Sequence, residues 1–168
     1  MTALPTNDVI DTVLGLDRFP DLQALRQQRA KLKHLSQTSY QAALRPADPR
    51  NFSYALRAAL AARMAALWKS QELSAHFRTL LESEEGGSAL LPIADPGHGA
   101  IVADPRLDAM LAHVDLVTLS PKEATRANVE KLSAAGLDDR DIVTLAGLIA
   151  FVNYQVLVVA GLKMLRDN

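Results

Sequence analysis

The sequence predicts an all-α protein, on three observations. Apolar residues recur at helical spacing along most of the chain, and the period-two alternation of a half-buried strand is nearly absent. One run of twenty-one residues, Ile142 to Leu162, carries no charged side chain, which suits the most buried helix of a helical core. At 168 residues, with 49% hydrophobic and 22% charged side chains, the chain is sized and composed for a single domain spanning 1–168.

The first helix is expected over Asp21 to Leu44, with Leu22, Leu25, Leu32 and Leu35 as its apolar stripe. Phe19-Pro20 makes a turn before it, and the two prolines of "RPADPRN" (45–51) close it. Helical spacing returns from Ser53 to about Glu82. Leu56, Leu60, Met64 and Leu67 form one stripe, and Leu73, Phe77, Leu80 and Leu81 form another. The phase shifts near Lys69-Ser70, so the spacing predicts two helices meeting at a bend, the second capped by Ser70.

Residues 83–105, "SEEGGSALLPIADPGHGAIVADP", hold four glycines and three prolines. They read as one long loop, of the kind that serves as a lid or binding loop. Helix resumes over Pro105 to Val117, with Leu107, Met110, Leu111 and Val114 on one face. Ser120, Pro121 and Glu123 then have the pattern of a capping box opening another helix, and Gly136 stands where that helix should stop. Asp138 or Asp139 is placed to cap the last helix, which is expected to end near Leu165.

The charge-free run also has the length of a membrane span. Asn153, Tyr154 and Gln155 at its midpoint would be costly in hydrocarbon, and Arg140, Lys163 and Arg166 flank it without a clear charge asymmetry. No membrane span is therefore expected. The formal net charge of -1, from 18 basic and 19 acidic side chains, argues against nucleic acid as a partner. With no cysteine in the chain, disulfides, thiolate catalysis and iron–sulfur clusters are excluded. The start, "MTALPTNDVIDTV", lacks the basic and apolar regions of a signal peptide, and the expectation is a cytoplasmic protein.

The segment 119–162 resembles the C-terminal helix pair of the carboxymuconolactone decarboxylase and alkyl hydroperoxidase D superfamily. "SAAGLDDRDI" and then "AFVNYQVLVVAGL" carry the likeness, over about a quarter of the chain. A second similarity lies in "RAALAARMAALWKSQELSAHFRTL", residues 57–80. There the family's spacing of glutamate, C-x-x-C and histidine falls on Arg57, Lys69, Glu72 and His76. Only the histidine is kept. The resemblance implies a compact multi-helix bundle, and dimers, trimers or hexamers. The family's dithiol reduction of peroxides needs a thiolate and a resolving cysteine, which lysine and glutamate cannot replace.

Three functions stay open. The chain is a degenerate or repurposed member that acts as a helical assembly partner; or an acid–base enzyme on a small lactone or keto acid; or a small-molecule binding module with a pocket under the 83–105 loop. In the enzyme reading His76 and Glu72, one turn apart, supply the catalytic pair, and Arg57 and Lys69 hold the substrate carboxylate. Against it, a Glu–His pair at this spacing is common on helix surfaces. His34, His98 and His113 are expected at the surface or its boundary, His98 beside Asp95 in the loop. Asn153 is expected to be a satisfied core amide or a register-setting interface residue rather than a catalyst. No metal site and no cofactor are expected, since no histidines have ligand spacing.

A homo-oligomer through the last helix, 141–165, is expected, because its large side chains point in every direction. Val156 and Val159 are among those assigned to the interface.

Overall fold

The computed structural model describes residues 8–98 and 104–167. Among these residues there are nine α-helices and no strand: α1 (Val9–Leu14), α2 (Pro20–Gln27), α3 (Ala30–Leu44), α4 (Tyr54–Leu67), α5 (Gln71–Glu82), α6 (Gly87–Leu90), α7 (Pro105–Leu119), α8 (Arg126–Ala134) and α9 (Asp139–Arg166). The all-α expectation is met.

At the centre is α4. Ala55, Arg57, Ala58, Ala59, Leu60, Ala61, Ala62, Arg63, Met64 and Ala65 are all buried, so the helix is wrapped on every side. Its six alanines among these positions have the small side chains that allow close helix approach. Helices α5, α7 and α9 all pack on it. The Ser53 hydroxyl accepts from the Leu56 N–H and starts α4, and Lys69, in the left-handed region at φ 57°, ends it and turns the chain into α5. That is the bend expected near Lys69-Ser70.

Three expectations change. The helix over 21–44 is broken at Gln28-Arg29 into α2 and α3, where Arg29 leaves helical geometry at φ -115° and ψ 43°. Its leucine stripe is not a core stripe: Leu25, Leu32 and Leu35 are 45%, 54% and 47% exposed, and α3 is anchored instead by Tyr40 and Leu44. Second, Ser120-Pro121-Glu123 makes only a single 3₁₀ turn, because Ala124 is extended. The helix that follows starts at Arg126, and Asn128 Oδ1 accepts from the Thr125 N–H at 2.8 Å in the reciprocal cap.

The third change is in the 83–105 segment, of which 99–103 lie outside the described residues. Residues 83–98 are folded: α6 leads into a 3₁₀ turn, Leu91–Ala94, with Ile93 and Ala94 buried. Arg63, 4% exposed, pins the stretch to α4. Its Nη1 donates to the carbonyls of Ile93, Asp95 and His98 at 3.1, 3.0 and 3.0 Å, while Nε and Nη2 grip Asp115 of α7 at 2.6 Å each.

The remaining boundaries fall as expected. Gly136, at φ 91°, follows the end of α8, and Asp138 accepts from the Asp141 N–H at the start of α9.

Candidate functional site

The residues singled out by spacing are dispersed. Arg57 and Lys69 stand at opposite ends of α4, twelve residues and so about 18 Å apart along its axis. Arg57 is buried and its guanidinium is committed to the chain's own backbone. Nε donates to Phe52 O at 3.0 Å, Nη1 to Ala43 O at 2.8 Å and Nη2 to Pro49 O at 3.3 Å. It fastens the α3–α4 connection and so is not free to hold a substrate carboxylate. Lys69 is exposed at the bend.

Glu72 and His76 share a face of α5, but Glu72 pairs elsewhere. Lys163 Nζ of α9 lies 2.5 Å from its carboxylate, and this hydrogen bond, with Arg166 adding, holds the Glu72 carboxyl below its usual range. His76 is half-buried in an aromatic cluster. Its Nε2 lies 2.9 Å from the hydroxyl of Tyr40, and its ring is 5.3 Å from that of Phe77. Phe151 packs edge-on against Tyr40 at 6.3 Å. Burial pushes the His76 pKa down, which favours the neutral imidazole. Among the described residues its hydrogen-bond partner is the Tyr40 hydroxyl, not a carboxylate.

A groove of about 450 Å³ between α3 and α9 is lined by Arg57, Ser39, Thr144, Gly147 and Phe151; neither His76 nor Glu72 reaches it. His34 is exposed, and His98 lies 3.2 Å from Asp95 in a solvated pair, both as expected. Asn153 is the expected satisfied amide: Oδ1 accepts from the Trp68 indole N–H at 2.6 Å, and Nδ2 donates to Ile149 O at 3.0 Å.

The feature that spacing alone did not reveal is the outer face of α9. Leu145, Leu148, Ile149, Val152, Val156 and Val159 are buried against the rest of the chain. Val156 and Val159, expected at an interface between copies, therefore face this chain's own core at 3% and 1% exposure. On the other side an exposed stripe runs through Val143, Ala146, Gly147, Ala150, Tyr154, Leu157, Ala160, Gly161 and Met164, with no charged residue. Val143 is 71% and Leu157 57% exposed. A Cβ added at Gly147 or Gly161 would meet nothing within 4 Å. By length and composition α9 could cross a membrane, yet its inner face completes the helical core.

The solved structure of an uncharacterized peroxidase-related protein from Silicibacter sp. TM1040 aligns with 96% of this chain and 86% of its own, with a TM-score of 0.65 and 20% sequence identity. The chain shares the all-α fold of that structure. No family model matches the chain, and no curated protein does. The similarity covers the helical architecture and carries no activity at this identity. Thiol chemistry is closed to the chain, since it has no cysteine.

Proposed function

We propose that this chain is a cysteine-free, divergent relative of the carboxymuconolactone decarboxylase and alkyl hydroperoxidase D superfamily. In this reading it keeps the scaffold, has lost the redox pair, and works in the cytoplasm as a self-associating helical protein. The observation that carries the reading is the uncharged outer stripe of α9. A helix face meant for water ordinarily carries charged and polar residues, whereas this one offers Val143, Tyr154 and Leu157 around small residues. The two glycines support it further. Glycine inside a helix costs about 1 kcal/mol relative to alanine, and neither Gly147 nor Gly161 is required by this chain's own packing. Close approach of a second helix would supply the missing reason.

The acid–base reading draws no support from the geometry: Arg57 and Glu72 are already engaged, and His76 has a tyrosine for its neighbour. Sedimentation velocity at micromolar concentration tests the preferred reading. The native chain should run well above its one-chain mass of 18.2 kDa. Val143→Asp and Leu157→Asp should return it to that mass with the helical circular dichroism unchanged. A native chain that sediments as a monomer, or variants that keep the native mass, would reject self-association through α9.

A further inference from the structure

On α3 the leucines that periodicity assigned to a core form part of a surface column. Leu32, Leu35, Ser39 and Ala42 recur at spacings of three and four, and all four are exposed. The column lies on the side of α3 that meets α9. Ser36 Oγ stands 2.7 Å from the Tyr154 hydroxyl, and one turn further along α3 the Tyr40 ring is 6.3 Å from that of Phe151. The two helices therefore run antiparallel. Ser39 and Ala42 share the groove between them with Val143 and Gly147 of the α9 stripe. Column and stripe are thus two ridges of one surface, with a groove along part of its length.

Size and charge say what covers this surface. The outer stripe of α9 alone is a single row of side chains, well short of the roughly 20–30 residues a side of a stable interface. The α3 column supplies a second row. The two ends of the surface differ in charge. From Leu22 to Ala47 there is no acidic residue, and Arg29 and Lys31 are exposed at the start of α3. At the other end Asp48 and Asp139 are exposed, alongside Arg140 and the Arg50–Asp138 pair. A second copy laid parallel would bring Arg29 and Lys31 onto their own counterparts, a like-charge juxtaposition that opposes binding. Laid antiparallel, it brings them to Asp48 and Asp139. The side chains of α9 agree. About a centre at Tyr154, Ala150 of one copy meets Leu157 of the other, small against large, and Gly147 meets Gly161.

We infer that α3 and α9 together form the self-association surface, and that a second copy covers it antiparallel about a two-fold axis near Ser36 and Tyr154. This rests on the self-association proposed above and adds to it a second helix, an orientation and a register. The product is a dimer, and the surface leucines of α3 are its second row.

The chain has no cysteine, so single thiols can be placed at chosen positions. With a short bifunctional maleimide, Tyr154→Cys should join to itself, and Gly147→Cys should join to Gly161→Cys in a mixed sample. Val143→Cys should not join to itself, because the two copies of that residue stand on the order of 30 Å apart along the paired helices. In sedimentation velocity the native chain should run at twice its one-chain mass of 18.2 kDa. Leu32→Asp with Leu35→Asp should raise the dimer dissociation constant at least about ten-fold, with the helical circular dichroism unchanged. If that pair fails to fold, the crosslinks carry the test. A pair that associates like the native chain, while Val143→Asp falls to one-chain mass, would mean that α9 associates without α3, and this inference would fall alone. Efficient joining of Val143→Cys to itself would overturn the antiparallel orientation and leave self-association standing. A native chain that stays monomeric, including one that binds vesicles of anionic lipid through Leu32 and Leu35, would overturn both.

Discussion

Arg57 and Arg63 are six residues apart on α4, about one and two-thirds turns, and both are buried with donors on backbone carbonyls. In sequence they read as polar interruptions of an alanine-rich helix, and Arg57 as a candidate anion holder. Arg57 takes its partners from the end of α3 and the turn before α4, and Arg63 takes carbonyls of residues 93–98 together with the Asp115 carboxylate of α7; a guanidinium's five donors suit such scattered acceptors. Glu72 too is engaged by a residue remote in sequence. Its partner Lys163 lies ninety-one residues downstream, and local spacing carries no information about it.

His76 has a consequence that can be measured. Burial sets its folded pKa below the ordinary value of 6.5. As pH falls through that value, the unfolded chain takes up a proton that the folded chain resists, so the unfolded state binds more protons. The stability held by the neutral ring is therefore complete above about pH 7 and is lost progressively on the way down to pH 5. His113 acts in the same direction. His76→Gln removes the titration and leaves an acceptor for Tyr40. Calorimetric melting between pH 7 and pH 5 should then fall by less in the variant than in the native chain. An identical fall in both would mean that His76 is not one of the groups responsible.

At the scale of elements, what periodicity located well were the helices with local punctuation. The α4–α5 bend, the end of α8 at Gly136 and the start of α9 at Asp138 each have a residue with a short-range reason to be there. The α2–α3 break has none, since neither glycine nor proline marks Gln28-Arg29, and three of the four leucines that suggested one continuous core stripe, Leu25, Leu32 and Leu35, lie on the surface. The 83–105 segment was misjudged in the opposite sense. Its glycines suggested looseness, but Gly87 is buried, and a Cβ there would fall 1.8 Å from the carbonyl oxygen of Leu81. Glycine is thus required for α6 to dock on the end of α5. Gly87→Ala should destabilise the chain by about 2 kcal/mol, the range of an overpacked interior site. Urea unfolding reads this directly. A loss under about 0.5 kcal/mol, the scatter of ordinary surface substitutions, would show that α6 is not held where the contact places it.

At the scale of the whole molecule, α4 and α9 exchange the roles that composition assigns them. The uncharged run of α9 suggested a helix surrounded by protein, but α4, with two arginines, is the one wrapped on all sides, and α9 keeps an open face. Composition shows that α9 avoids charge all round; it does not say whether the avoided contact is with this chain or with another copy. Gly147 and Gly161 separate those cases. In an isolated chain, open space around Gly147 means that Gly147→Ala gains helix propensity, about 1 kcal/mol, or roughly 2–4 °C in melting temperature for a domain of this size. Where a second helix packs closely at that glycine, the added methyl also weakens association, and association raises apparent stability with protein concentration. The native melting temperature should therefore rise with concentration. That of Gly147→Ala should start higher at nanomolar concentration and rise less steeply. Parallel curves, displaced upward by the same amount at every concentration, would show that α9 makes no close contact through Gly147, and that its uncharged face is left to another partner.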